Sequence, residues 1–173
     1  MGQKMEVILI LETLTLLSGI FLILFLLNTQ VKFFKSAETF FTKNSLGFVF
    51  IISATATLGS LFFSEILGFL PCKLCWIQRI FMYPIAILSG VALYRKDINV
   101  KYYILPLAII GSLFSIYHYF TQLFPAETGS IFCAIGEASC QTAYTFAYGY
   151  ITIPMMALTA FILIIVFSLI SKK

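Results

Sequence analysis

The stretch Leu67–Ile80 reads LGFLPCKLCWIQRI. Cys72 and Cys75 stand two residues apart behind Pro71, and Arg79 follows four residues after the second cysteine. Strongly apolar sequence flanks the stretch on both sides. Two thiols and a fixed charge at the rim of a hydrophobic run call for a chemical reason.

Outward from that stretch, the chain is almost wholly apolar. Its 173 residues are 10% charged, against about 25% in soluble domains, and its mean hydropathy is +1.02. A helix that crosses a bilayer needs roughly 20 mostly apolar residues. Five such spans are expected, at Val7–Leu27, Leu46–Leu70, Trp76–Tyr94, Tyr102–Gln122 and Ile151–Ile170. The fold class is thus an all-α integral membrane protein, with no length left for a soluble domain. The first run is longer than a signal-peptide core and no small-residue cleavage site follows it, so it reads as retained.

Lysine and arginine placement sets the orientation. Lys32, Lys35 and Lys43 fall between the first two spans, Arg95, Lys96 and Lys101 between the third and fourth, and Lys172 and Lys173 at the end. These belong on the cytoplasmic side, which puts the N-terminus outside and the C-terminus inside. Lys4, Lys73 and the loop 123–150, which has no Lys or Arg, then face outward. The net charge of +4 reflects this bias and does not imply a nucleic-acid partner.

On this topology all four cysteines, Cys72, Cys75, Cys133 and Cys140, face the side where disulfides persist. Three readings compete. Two structural disulfides are possible, but a C-x-x-C ring is small and removes little chain entropy. A four-thiolate zinc site prefers a second pair spaced like the first, whereas Cys133 and Cys140 are C-x₆-C. The third reading, a pair of exchanging dithiols, is favoured by the surroundings of Cys72. Pro71 suits a helix start, a helix start favours anions, and such a place lowers a thiol pKa. Arg79 lies on the face of Cys75, about 6 Å deeper. An intramembrane arginine is a functional candidate, though it can also snorkel to the interface.

In the fourth span Gly111, Ser115, His118 and Gln122 are spaced four, three and four, on one helix face. His118, the sole histidine, is either a hydrogen-bonded packing residue or, with Arg79, one of two cationic groups bracketing the carbonyl oxygens of a lipid-soluble ring. Electrons taken from thiols need an acceptor. No C-x-x-C-H haem motif, dinucleotide fingerprint or metal-cluster spacing is present. A quinone dissolved in the bilayer needs no binding domain, and Arg79 would stabilise developing negative charge on it.

The segments Gly59–Leu88, Pro106–Pro125 (PLAIIGSLFSIYHYFTQLFP) and Gly149–Ile165 (GYITIPMMALTAFILII) resemble, in order and spacing, the disulfide bond formation protein B (DsbB) family, and its short BdbC-type members above all. The resemblance covers about Leu46 to Ser171. It implies a four-helix transmembrane bundle at 46–173 that oxidises an extracytoplasmic thioredoxin-like (DsbA/BdbD-type) partner and passes electrons to menaquinone or ubiquinone in a bacterial cytoplasmic membrane. Residues 1–45 would add an N-terminal transmembrane helix and a cytoplasmic linker. By the same resemblance Cys72 and Cys75 are the quinone-proximal dithiol, Arg79 assists the quinone, and His118 and Gln122 fall at a position linked to the quinone site. Cys133 and Cys140 are the loop pair, Cys133 the target of the partner and Cys140 the bridge to Cys72. The C-x₆-C loop is shorter than in long-loop members, and Val7–Leu27, with Glu12 inside it, has no counterpart. Glu65 reads as an interface carboxylate near Lys73. A rival class, a reductant carrying electrons outward, would want cysteines within the bilayer. The other rival is a metal-binding or scaffold protein.

Overall fold

The computed structural model describes residues 2–31, 35–124, 140 and 150–171. Helix α1 is Gly2–Val31, α2 is Lys35–Lys43, and α3 is Ser45–Leu61, which widens into a π-helical turn at Phe62–Ile66. Helix α4 is Lys73–Arg95, a 3₁₀ turn follows at Ile98–Val100, α5 is Lys101–Leu123 and α6 is Ile153–Ile170. Among the described residues five helices are long and apolar enough to cross a membrane. They correspond one for one to the expected spans, and the chain is a multi-pass helical membrane protein.

Helices α3, α4, α5 and α6 pack in a ring, each against the next, and α3 closes on α6. Lipid tails are as apolar as leucine, so small residues and close packing hold such helices together. Gly111 of α5 seats the ring of Phe161 from α6: a Cβ there would clash with three of its ring carbons. Gly90 of α4 lies close to Phe50 of α3, where a Cβ would stand 3.0 Å from the nearest ring carbon. Ser53 and Ser89 face each other across α3 and α4 with their hydroxyls 3.4 Å apart. The shared core includes Val49, Met82, Ile85, Ile104, Ala108, Phe161 and Ile164.

Helix α1 lies outside this ring, against α6. Its Leu9, Ile10, Leu14, Leu17, Ile20 and Ile23 are exposed, as befits side chains that meet lipid. Its inner-facing Glu12 is buried. Near its far end Phe21 joins Phe41, Phe48 and Phe167 in an aromatic cluster, with Phe21 and Phe41 centroids 5.3 Å apart.

Several boundaries differ from expectation. The second span ends at Ile66 rather than Leu70, because Gly68 adopts a φ of 72°, which glycine reaches without a Cβ penalty. The third helix starts at Lys73 rather than Trp76 because Cys72 caps it. The last starts at Ile153 rather than Ile151, behind Thr152 with Pro154 in its first turn. The linker between the first two spans contains a helix of its own, α2. The expected positions of Lys32, Lys172, Lys173 and Cys133 lie outside the described residues.

Candidate functional site

The site is built where α3 ends and α4 begins. In the π turn, Leu67 N–H donates to the Phe62 carbonyl at 3.1 Å, and Phe69 N–H to the Phe63 carbonyl at 3.0 Å. Gly68 then reverses the chain, and the rings of Phe63 and Phe69 stack 6.0 Å apart. Pro71 falls one residue before the helix cap instead of at the first helical position. Cys72 is the cap itself, with extended φ and ψ of −70° and 171°. Its sulfur accepts the Cys75 N–H at 3.4 Å, taking the place of the oxygen that Ser or Asp supplies at most helix starts.

Cys72 and Cys75 are free thiols. Their sulfurs lie 3.1 Å apart and share a hydrogen bond. His118 Nε2 approaches the Cys72 sulfur at 3.6 Å. On its other side, the Gln78 amide nitrogen donates to His118 Nδ1 at 3.2 Å. Since Nδ1 accepts, Nε2 carries the proton and directs it at Cys72. The Cys72 thiol is pulled down to about 4. The main cause is the hydrogen bond from Cys75, followed by the hydrogen bond from His118, and burial opposes both.

Cys140 is disulfide-bonded and 1% exposed. The sulfurs of Cys72 and Cys140 and a ring nitrogen of His118 all lie within 4.8 Å of one another. Two cysteines and a histidine at that range have the donor set of a metal site. A sulfur already spent in a disulfide is not a thiolate ligand, though, so thiol–disulfide exchange is the chemistry this arrangement offers.

Cys75 faces elsewhere. With Gln78, Arg79 and Tyr83 of α4 it lines a cavity of about 240 Å³, closed also by α3, α6 and α1. Arg79 is 7% exposed. Its Nε donates to Ser60 Oγ and its Nη2 to the Ser60 carbonyl, both at 2.8 Å, and its guanidinium lies 5.1 Å from the centre of the Trp76 ring. Among the described residues it makes no ion pair. Burying a cation away from water costs several kcal/mol unless it is compensated, and here two neutral acceptors and an aromatic face do so in part. The Tyr83 hydroxyl, also on the cavity, is buried and has no hydrogen-bond partner among the described residues.

The structure therefore gathers Cys72, Cys75, Arg79, His118 and Cys140, while Cys133 lies outside the described residues. Arg79 fronts the cavity, whereas His118 sits against the Cys72 sulfur and is not part of the cavity wall. Gln122 is half-buried one turn beyond His118, also off that wall. Glu65 is exposed and accepts from the Ser64 hydroxyl at 3.0 Å. Sequence reasoning gave no role to Gln78, Ser60 or Tyr83. A signal existed for each: a polar side chain inside an apolar span, three or four residues from Cys75 or Arg79, or facing them across the turn.

An apolar cavity of about 150 Å³ already accepts a benzene ring, so 240 Å³ suits a headgroup of one or two rings. The buried guanidinium and the orphan Tyr83 hydroxyl are donors suited to carbonyl oxygens. The residues present thus fit a quinone headgroup.

Over residues 42–171 the chain matches the family described as Disulfide bond formation protein DsbB. It is 47% identical over 133 residues to Disulfide bond formation protein C of Bacillus subtilis, covering 75% of this chain and 96% of that one. It is 48% identical over 121 residues to Probable disulfide formation protein C 1 of Bacillus cereus, covering 70% and 86% respectively. No solved structure matches.

Proposed function

The chain belongs to the DsbB family of membrane disulfide-forming thiol oxidoreductases, and from that premise we propose that it reoxidises an extracytoplasmic thioredoxin-like dithiol partner at the expense of a membrane quinone. The observation that carries this reading is the divided outlook of one dithiol. Cys72 faces the disulfide-bonded Cys140, and Cys75 faces an apolar cavity beside a buried arginine.

The reaction is two exchanges. A thiolate of the reduced partner attacks Cys133 in a Cys133–Cys140 disulfide, forms a mixed disulfide and releases Cys140 as thiolate. Cys140 attacks the sulfur of Cys72 in the oxidised inner pair, which joins Cys140 to Cys72 and frees Cys75 as thiolate toward the cavity. The partner's second thiol resolves the mixed disulfide and leaves oxidised. Cys133, freed by that step, attacks Cys140, the Cys133–Cys140 disulfide re-forms, and Cys72 departs as thiolate. The low pKa of Cys72 makes it a fast leaving group. Two electrons then rest on Cys72 and Cys75, with Cys140 back in a disulfide, which is the redox state of the structure.

A bound quinone supplies a two-electron, two-proton acceptor. Arg79 would hold its carbonyl oxygen as charge develops, Tyr83 offers a second donor, and His118 keeps Cys72 ionised. Residues 46–173 form the oxidase unit, with the N-terminus outside, the C-terminus in the cytoplasm and both cysteine pairs outside.

The test is turnover by the purified, detergent-solubilised protein. It should oxidise a reduced thioredoxin-like protein only when a quinone is added. Cys133→Ser or Cys140→Ser should stop partner oxidation while added quinone still oxidises Cys72 and Cys75. Partner oxidation at full rate without quinone, or in either variant, would sink the relay.

A further inference from the structure

One wall of the cavity comes from a helix that lies outside the family match, which starts at residue 42. Leu11, Thr15 and Ser18 of α1 all line the cavity, and their spacing of four and three puts them on one helix face. They are half-buried, whereas Leu14 and Leu17, which do not line the cavity, are exposed. Leu11 rests over Gly59 of α3: a Cβ at Gly59 would stand 3.6 Å from a Leu11 methyl. Gly59 directly precedes Ser60, whose hydroxyl and carbonyl hold Arg79. The α1 face thus closes over the same turn that positions the guanidinium.

Its chemistry suits an apolar occupant. The Thr15 hydroxyl donates to the Leu11 carbonyl at 2.8 Å, and the Ser18 hydroxyl donates to the Leu14 carbonyl. Both hydroxyls are satisfied within the helix, so the wall asks no hydrogen bond of what it touches. The polar demand of the cavity comes instead from α4, through Arg79 and Tyr83.

We propose that α1 is the lipid-side wall of the acceptor cavity, and that Leu11, Thr15 and Ser18 contact the bound quinone and set its affinity and selectivity. This rests on the quinone reading above. A ring with a hydrocarbon tail reaches the cavity from the bilayer, and α1 is the element that stands between the two. Residues 1–31 are then part of the acceptor site rather than a bare anchor.

The ring of Trp76, the sole tryptophan, lies 5.1 Å from the Arg79 guanidinium, which lines the cavity, so quenching of its fluorescence measures quinone binding apart from turnover. Full-length protein is titrated with a short-tailed ubiquinone analogue and with a long-tailed menaquinone. Thr15→Phe and Ser18→Phe, which project into the cavity, should weaken binding by at least about tenfold, the equivalent of one lost good contact. Leu14→Phe and Leu17→Phe, on the lipid face, should stay within about twofold of the parent. Leu11→Ala opens the wall instead of filling it. It should weaken binding roughly fivefold through lost apolar contact, and it serves where a larger residue lowers the thermal midpoint. Parent-like binding in well-folded Thr15→Phe, Ser18→Phe and Leu11→Ala would overturn the proposal while leaving the quinone reading intact. Absence of quenching together with quinone-independent turnover in the parent protein would overturn both.

Discussion

Replacing His118 by Phe isolates what the histidine does for Cys72. Phenylalanine fills a similar space at a site that is 1% exposed, but it brings no hydrogen-bond donor. The Cys75 hydrogen bond to Cys72 stays in place. A hydrogen bond to a charged group contributes about 1.5–3 kcal/mol, and one pKa unit is about 1.4 kcal/mol. The Cys72 thiol should therefore climb by about 1–2 units from its value of about 4. The difference is felt in full wherever Cys72 is ionised in both proteins. The reduced dithiol is then less stabilised, and the inner disulfide becomes a weaker oxidant by about 30–60 mV, at about 30 mV per 1.4 kcal/mol. Ultraviolet thiolate absorbance against pH gives the first quantity, and equilibration with a glutathione buffer gives the second. Because the folded value is depressed, the advantage to the reduced state is complete above the ordinary thiol pKa of about 8.5. It fades as pH falls from there through about 4. Gln78→Leu, which frees the Nδ1 side of the ring, should move both readings the same way by less. An unmoved inflection in His118→Phe would refute the assignment of Nε2 as a donor to Cys72.

Three further outcomes are expected. Arg79→Met keeps the length and removes the charge, and should raise the quinone KM about 10- to 100-fold, the equivalent of a charged hydrogen bond; unchanged quinone kinetics in steady-state assays would return Arg79 to an interfacial role. Gly111→Ala sets a methyl against Phe161, whose Cε1 and Cε2 would stand 2.5 and 2.9 Å away; with Phe161 fully buried, overpacking should cost about 1–3 kcal/mol and lower the thermal midpoint in detergent, and an unaltered midpoint would show that α5 and α6 can separate freely. For orientation, single cysteines at Gln3 and Ser36 in a cysteine-free variant should respectively react and fail to react with an impermeant maleimide on intact cells, and labelling at 36 would reverse the topology.

The spans were legible because a bilayer imposes a length and an apolar composition that the sequence displays openly. Their ends were not. The break at Gly68 depends on one left-handed backbone angle, and the start of α4 on a cysteine doing the work of a serine. Helix α2 was hidden because Lys35–Lys43 is nine residues long and carries two lysines, which reads as a linker. The Cys75–Arg79 relation follows from helical spacing and could be read directly. The Gln78–His118–Cys72 chain could not, since 40 residues separate the first two and no local pattern pairs them. The place of α1 was illegible for a different reason. In a helix that is apolar over most of its surface, composition does not say which face meets protein and which meets lipid.

The sulfur cap of α4 ties two equilibria together. The atom that accepts the Cys75 N–H is the atom that is oxidised and reduced in each cycle. A thiolate caps better than a disulfide sulfur, because negative charge at a helix start is favoured. Reduction therefore tightens the first turn of α4, and by linkage anything that tightens that turn favours reduction. Local order and redox poise are in this way a single thermodynamic quantity. A substitution that frays the helix start without touching any cysteine should still make the protein a poorer oxidant.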